Sequence, residues 1–265
     1  MLAHAKPWMV PMLIELWHSC FGDSREYIIF FMEHRFKPEQ TIVWLEGEKV
    51  AGSIYLLPCK IDKRDALYCY AVSVAPEFRG RGICAAMLSA AEAWCISNDI
   101  LLFCAPRKGM NGYYHRRGYI DAFFCYWEEF VADGQVEKLS PVEAEGRPYM
   151  RLRDQFLPKP GLVRWDEYAV EYALAEHRLC GGFAHLLPWK GRNYLLMGHL
   201  DNRTLVLTET TLPYELLQEL APSLCAHYKG AMLRCCLPAG KIEKVTGVCF
   251  GRFTCNFGWL GLDLT

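Results

Sequence analysis

The sequence lacks an excess of either charge, because 29 lysine and arginine residues stand against 30 aspartate and glutamate residues. It therefore lacks the broad positive field that non-specific nucleic-acid binding requires, and we expect no nucleic-acid partner. No apolar run reaches the about 18 residues that a membrane span needs. Residues 1–20 lack the order of a secretory signal, since two prolines, Glu15 and His18 interrupt the apolar positions. We expect no membrane association and a cytoplasmic protein.

The sequence also lacks a metal-binding or disulfide pattern, although cysteine is plentiful. Its thirteen cysteines are odd in number and lie mostly inside apolar runs such as YCYAV, LFCAP and FFCYW. No C-x-x-C pair occurs, and the adjacent Cys235 and Cys236 would point to opposite faces of a strand. We expect buried free thiols, no metal and no disulfide framework.

Hydrophobic residues make up 52% of the 265 residues, enough for one large or two ordinary domains. Apolar spacing predicts a helix over 8–20 and a second helix that opens at a capping-box-like DSRE, 23–26. Three antiparallel strands follow, ending with ALYCYAVSV. A helix after Arg81, the strand ILLFCAP, a short helix in MNGYYHRRGY and the strand IDAFFCYWEEFV complete this half.

The second half repeats this order loosely, after a polar stretch that contains ADGQ, SPVEAEGRP and LPKPG. A helix, three strands, a helix from Pro213 and the strand AMLRCCLP are predicted there. We therefore predict a first domain over 1–132, a connector over 133–161 and a second, smaller domain over 162–265.

The stretch YAVSVAPEFRGRGICAAML, 70–88, joins a predicted strand to a predicted helix through two arginines and two glycines. A helix N-terminus exposes unpaired N–H groups, so such a joint suits a phosphate, although a solvated turn with helix-capping glycines explains it too. A P-loop is excluded, because Ile83 and Cys84 stand where Lys and Ser or Thr are needed. A dinucleotide fingerprint fits Gly80, Gly82 and Ala85, but a meander precedes it and no acid ends the next strand.

The stretch VSVAPEFRGRGICAAML resembles the [Q/R]-x-x-G-x-[G/A] motif of the GNAT N-acetyltransferase superfamily, which cradles the pyrophosphate of acetyl-coenzyme A (acetyl-CoA). Arg79 and Gly82 match this motif, and Cys84 departs from it with another small side chain. GYYHRRGY, 112–119, resembles the family's second motif, in the expected order and on the expected elements.

The resemblance implies an α/β (α+β) GNAT fold over about residues 1–130, with a mixed, mostly antiparallel sheet whose central strands splay apart. It implies acetyl-CoA as co-substrate, no metal, and a pyrophosphate cradle at Arg79, Gly80, Arg81, Gly82, Ile83, Cys84 and Ala85. Pro76 removes a backbone donor, so we expect strand pairing to fail beside it. The pantetheine arm is then expected to pair with Val72, Ser73 and Val74, and the Val74 N–H to polarise the thioester carbonyl.

Tyr114 is the predicted general acid, because a tyrosine hydroxyl can hydrogen-bond and protonate a departing thiolate. The alternative is that Tyr114 only packs the helix on the sheet, with the adjacent Tyr113 in the site.

No general base is identified. Glu33 and His34, or the pair Glu128 and Glu129, are candidates that are also ordinary solvated surface. Arg107 and Lys108 either approach the nucleotide end of the cofactor or lie in a solvated loop.

The second half carries TLVLTETTLPYELL where the first has its glycine loop, with Glu209 and Glu215 where a phosphate needs positive groups. We expect a degenerate GNAT-like α/β half that binds no coenzyme A. A tandem plan of this kind is similar to that of enhanced-intracellular-survival-type acetyltransferases.

Two functional classes remain. The first is an N-acetyltransferase that moves an acetyl group from acetyl-CoA to the primary amine of a small molecule by direct attack. The alternative is a non-catalytic acyl-CoA-binding sensor or regulatory protein. The sequence leaves the acceptor, the acyl-chain preference and the oligomeric state open.

Overall fold

The computed structural model describes residues 1–157, 160–238, 244–251, 253 and 258–262. The chain forms two compact units: residues 1–120 with 247–254, and residues 121–246 with 255–265. We call them unit 1 and unit 2. Among the described residues, no helix is both long enough and apolar enough to cross a membrane.

The elements of the first half, in chain order, are β1 Leu2–His4, α1 Val10–Phe21, α2 Arg25–His34, β2 Thr41–Glu46, β3 Lys49–Ile61, β4 Arg64–Val74, α3 Ile83–Ser97, β5 Leu101–Cys104 and α4 Asn111–His115. β6 Ile120–Val131 completes the first half. The elements of the second half are β7 Val142–Glu143, α5 Gly146–Phe156, β8 Val163–Arg164, α6 Glu167–Leu179, β9 Phe183–Trp189, β10 Arg192–Asp201, β11 Thr204–Thr210, α7 Tyr214–Tyr228, β12 Met232–Pro238 and β13 Lys244–Phe250.

The sheet of unit 1 has the order β1-β2-β3-β4-β5-β13. Its pairs are antiparallel except β4 with β5, which α3 connects as a parallel crossover. The apolar face of α3 packs on this sheet around Met87, Leu88 and Ala91, and side chains of β3, β4 and β5 complete the core. The meander and crossover confirm the predicted GNAT-type α/β fold.

The central strands of unit 1 splay apart, as predicted, but for a different reason. β4 and β5 pair only from Ala66–Leu101 to Tyr68–Phe103. Beyond that point Ala71 adopts φ +44°, and β4 bulges against β3. A bulge bends its strand and increases its twist, so β4 leaves β5 well before Pro76.

Unit 2 repeats the same plan, which confirms the predicted second α/β half. Its sheet has the order β7-β9-β10-β11-β12-β6, and α7 connects the parallel neighbours β11 and β12. A leucine-rich core lies between α7 and this sheet.

The last strand of each sheet comes from the other half of the sequence. β6 follows α4 in the chain but pairs with β12, in the register Val131–Met232. β13, whose KVTGVCF segment was not predicted as a strand, pairs with β5 in the register Val248–Cys104. The first segment of unit 1 therefore ends at residue 120 rather than after β6, because β6 pairs with β12 and belongs to unit 2. The predicted domain limits at 132 and 161 remain a prediction.

A buried ion pair organises part of unit 2. Arg153 and Glu209 are 1% and 0% exposed, and Arg153 Nε lies 3.1 Å from both carboxylate oxygens. Tyr149 Oη, Trp259 Nε1 and the Leu262 N–H also donate to Glu209, at 2.9, 3.0 and 3.2 Å. Residues inside the predicted connector 133–161 thus contribute to the core of unit 2.

Candidate functional site

The loop between β4 and α3 is held open by two glycines in the left-handed region. Gly80 and Gly82 both have φ +76°, and Gly82 is the N-cap of α3. An added Cβ would meet no heavy atom within 4 Å at either glycine. Left-handed backbone favours glycine, so the loop keeps a bare backbone surface at the start of α3.

The backbone N–H groups of this loop have no backbone partner within the described part of the chain. Of the backbone hydrogen bonds among the described residues, none uses the N–H groups of 80–85, and Ala86 is the first to donate into α3, to Gly82 O at 2.9 Å. These groups lie at the positive end of a fifteen-residue helix. Ile83 is buried in the core, whereas Cys84 and Ala85 are half-buried. The loop therefore has the composition and dipole of an anion site.

Residues 72–74 form the open edge of β4. The Ala75 N–H donates to Ala51 O of β3, and Ser73 pairs with Ser53 through both register and side chains, with the two Oγ atoms 2.9 Å apart. Backbone groups alternate along an antiparallel strand, so those of Val72 and Val74 face away from β3. That side is where β5 has left the ladder.

The Val74 carbonyl on this edge already has two donors. Arg79 Nε donates to it at 3.1 Å, and the Cys20 thiol of α1 approaches it at 3.4 Å. Arg79 Nη2 lies 3.8 Å from the same thiol. Arg81 turns the other way, with Nη2 donating to Glu77 O and the guanidinium 5.2 Å from the Phe78 ring centroid.

A cavity of about 710 Å³ lies where β4 and β5 splay. We call it the cleft; its lining residues are Trp17, Cys20, Phe21, Asp23, Tyr68, Cys69, Tyr70, Ala71, Val72, Arg79, Cys104, Ala105, Pro106, Arg107, Met110 and Tyr114. The volume is in the range of small-molecule sites. The structure thus brings Val72, Arg79 and Tyr114, three of the predicted site residues, to one cavity.

Tyr114 and Tyr113 occupy different environments. Tyr114 is 7% exposed and lines the cleft beside the Cys104 thiol. Burial, followed by the neighbouring thiols, raises the pKa of Tyr114 far above its ordinary value. Tyr113 lies outside the lining of the cleft and beside Cys84, and burial raises its pKa to about 12. Burial also raises the pKa of the Cys84 thiol.

Asp23 is a lining residue of the cleft that the sequence did not single out. Trp17 Nε1 donates to its Oδ2 at 2.7 Å, and no hydrogen bond of Oδ1 is found among the described residues. The sequence predicts a capping box that begins at Asp23, but Ser24 is the N-cap of α2 and accepts from the Tyr27 N–H at 3.2 Å. The carboxylate is therefore free to face the cleft.

Of the other charged residues that the sequence offers as site candidates, only one is among the described lining residues of the cleft. Glu33 and His34 are exposed on α2 and do not line the cleft; His34 Nδ1 lies 2.9 Å from Phe30 O. Arg107 lines the cleft beyond β5, whereas Lys108 is exposed outside its lining. Glu128 and Glu129 lie on β6, in unit 2.

The corresponding joint of unit 2 lacks the anion-site features. β11 leads into α7 through residues 211–213, with no glycine and with Pro213 as N-cap. Glu209 is buried against Arg153, and Glu215 lies exposed in the first turn of α7. A negative charge in that first turn opposes an anion, so the joint of unit 2 is unlike that of unit 1.

The described residues contain no cluster of three or more His, Cys, Asp or Glu side chains that could hold a metal ion. The cysteines that the structure describes are free thiols.

Residues 8–119 match the model of the Acetyltransferase (GNAT) family. No curated protein sequence matches the chain at a significant level.

Three solved structures share the fold over most of the chain. A protein of Enterococcus faecalis V583, described as a "Probable N-Acyltransferase", has a TM-score of 0.73 and 14% identity over 94% of this chain and 72% of its own. A GCN5-related N-acetyltransferase of Anabaena variabilis has a TM-score of 0.70 and 18% identity, over 94% of this chain and 72% of its own. Eis1 of Mycobacterium abscessus has a TM-score of 0.67 and 9% identity, over 100% of this chain and 74% of its own. At these identities the similarity establishes the fold alone.

Proposed function

Because residues 8–119 match the model of the Acetyltransferase (GNAT) family, we propose that this protein is an N-acetyltransferase. It transfers an acetyl group from acetyl-CoA to the primary amine of a small molecule by direct attack. The observation that carries the proposal is the bare N–H cradle of residues 80–85, placed at the N-terminus of α3 beside the open edge of β4.

The cradle and the open edge suit the two ends of the coenzyme A arm. Residues 79–85 supply a helix N-terminus and Arg79 for the pyrophosphate, and Arg81 joins them only by leaving Glu77 O. The outward backbone groups of Val72 and Val74 supply strand-type partners for the amides of pantetheine. Because Arg79 and Cys20 occupy the Val74 carbonyl, cofactor binding requires that Arg79 exchange this contact for the phosphates.

The reaction needs an oxyanion donor and a partner for the leaving sulfur. The neutral amine attacks the thioester carbonyl carbon, whose oxygen becomes negative and accepts from the Val74 N–H. The C–S bond then breaks, and the electron pair leaves with the sulfur as a thiolate. The Tyr114 hydroxyl donates to this thiolate and passes its proton to it. The nitrogen, which is positively charged after the attack, loses its extra proton to solvent, and water returns a proton to the Tyr114 oxygen. Burial raises the pKa of Tyr114, so its hydroxyl stays protonated and able to donate until the thiolate forms.

The charged lining residues of the cleft suggest where the acceptor amine binds. Asp23 is the carboxylate among the described lining residues, and Arg79 and Arg107 are the cationic ones. Oδ1 of Asp23 and the surrounding aromatic faces of Trp17 and Tyr70 suit a cationic amine. Asp23 is thus the residue proposed to orient the acceptor and to stabilise its charge before the proton is lost.

A thermal-shift assay followed by an amine panel tests the function. Acetyl-CoA should raise the melting temperature while NAD, NADP and ATP do not, since a ligand at a hundredfold excess over its Kd stabilises the native state by about 2.7 kcal/mol. Amines incubated with acetyl-CoA should then release free thiol. A shift without thiol release for any amine would favour the sensor alternative, and the absence of a shift would contradict both.

A further inference from the structure

Unit 1 contains another cavity, of about 620 Å³, that the proposed reaction does not use. Its described lining residues are Leu2, Ala3 and His4 of β1, Glu39 and Gln40 before β2, Ile42, Leu56, Pro58 and Leu67 of β2 to β4, and Ala90, Ala91 and Trp94 of α3. None of them lines the cleft. The volume is within the range of small-molecule sites. We call this cavity the α3 groove.

The groove exists because α3 presents small side chains to part of the sheet. Ala90 and Ala91 face the groove where larger residues would fill it, and the buried Ile42, Leu56 and Leu67 form its floor. Trp94 and Leu2 stand at the rim, 50% and 40% exposed. A recessed apolar floor beneath an exposed tryptophan accommodates a narrow apolar body better than the flat surface of a protein partner.

One end of the groove is polar and offers acceptors. Gln40 Oε1 is buried and has no hydrogen-bond partner among the described residues. Glu39 beside it is exposed and negatively charged, and no lysine or arginine is found among the described lining residues. An unpaired buried acceptor and a carboxylate are complementary to a positively charged hydrogen-bond donor.

We infer that the α3 groove is a binding site for a small amphipathic molecule with an apolar body and a cationic amino head. The body lies on the floor under Trp94, and the head donates to the Glu39 carboxylate and, once the Gln40 amide turns toward the groove, to Gln40 Oε1. The α3 groove is separate from the cleft, and this inference does not depend on whether the protein is an acetyltransferase.

Calorimetric titration with decylamine, decanol and decanoate tests the inference on the full chain. The three probes share one apolar body and differ in the head, so we expect decylamine to bind best and decanoate worst. Ala90→Phe fills the groove and should abolish decylamine binding, whereas Ala93→Phe, at an exposed position of α3 outside the lining, should leave it unchanged. Circular dichroism and the acetyl-CoA thermal shift check that both variants are folded.

Glu39→Gln tests the head, and should weaken decylamine about two- to fivefold, the range of an exposed ion pair, without changing decanol. Equal binding of decylamine to wild type and a folded Ala90→Phe would overturn the assignment, as would no binding of any probe. Tighter binding of decanoate than decylamine would refute the cationic head. A wild-type dimer that Ala90→Phe converts to monomer on gel filtration would make the groove an interface between copies and also overturn the proposal.

Discussion

Gly82 and Gly47 offer a matched pair of substitutions that separates backbone strain from loss of the cofactor cradle. Gly82 caps α3 at φ +76°, and Gly47 lies in the turn between β2 and β3 at φ +61°. At neither position would an added Cβ meet a heavy atom within 4 Å. Each alanine variant therefore carries left-handed strain of about 1–2 kcal/mol without a new clash.

Only at Gly82 does the added methyl group lie in the loop whose N–H groups have no backbone partner among the described residues. A methyl group between this backbone and a phosphate costs at least one charge-assisted hydrogen bond, about 1.5–3 kcal/mol. That loss corresponds to an affinity for acetyl-CoA that is about 10- to 150-fold lower. Gly47→Ala carries comparable strain on unit 1 but leaves the loop intact.

Thermal unfolding and calorimetric titration measure the two effects separately. Both variants should melt a few degrees lower, about 2–8 °C for the estimated strain in a chain of this size. Only Gly82→Ala should lose affinity for acetyl-CoA. Equal affinities in the two variants, or an equal loss in both, would refute the assignment of the cradle to residues 80–85.

Three further predictions concern Tyr114, the buried pair of unit 2 and a half-buried histidine. Tyr114→Phe should lower turnover at saturating acetyl-CoA by on the order of 10²-fold with little change in stability, while Tyr113→Phe should not; a larger loss for Tyr113→Phe would reverse the two assignments. Glu209→Gln should lower the free energy of unfolding in urea by about 3–5 kcal/mol, because Arg153 stays buried without its carboxylate; a loss under about 1 kcal/mol would contradict this. Burial, His227 and Arg178 lower the pKa of His185, so its unfolded form takes up the proton first and stability should fall as the pH drops below 6.5. His185→Gln should flatten that acid limb, and an unchanged limb would show that other groups cause it.

The β4–α3 joint is predictable from the sequence because its signals are local. Two glycines between a strand pattern and a helix pattern specify the left-handed backbone found at Gly80 and Gly82. The strand patterns that precede the joint indicate a meander, and this element order alone excludes a dinucleotide fold. Local turn chemistry and element order therefore suffice to predict the local structure of this joint.

Pairing between distant strands is not predictable in the same way. The sequence of β6 indicates a strand, but nothing in it specifies β12 as its neighbour. KVTGVCF was missed as a strand, although β13 completes the sheet of unit 1 beside β5. Strand neighbours are fixed by long-range packing, which residue patterns along one segment do not encode.

Two features of the cleft, the free position of Asp23 and the start of the splay, depend on local structure that the residue types do not specify. Asp23 and Ser24 are both good helix caps, and Ser24 takes the cap of α2, which leaves Asp23 to Trp17 and the cleft. The sequence predicts that β4 separates from β5 beside Pro76, whereas the bulge at Ala71 begins the separation earlier. A non-glycine residue at positive φ is not predicted by residue type, because tertiary packing imposes it.

The proposed stoichiometry is one acetyl-CoA per chain, bound by unit 1 alone on the cradle at the start of α3. Calorimetric titration of the full chain with acetyl-CoA measures it most directly, with Gly82→Glu as the matched variant, because that substitution places a side chain and a negative charge where the pyrophosphate must sit. We predict one acetyl-CoA per chain for the wild type and none for a folded Gly82→Glu. Two molecules per chain, or undiminished binding to Gly82→Glu, would contradict the account.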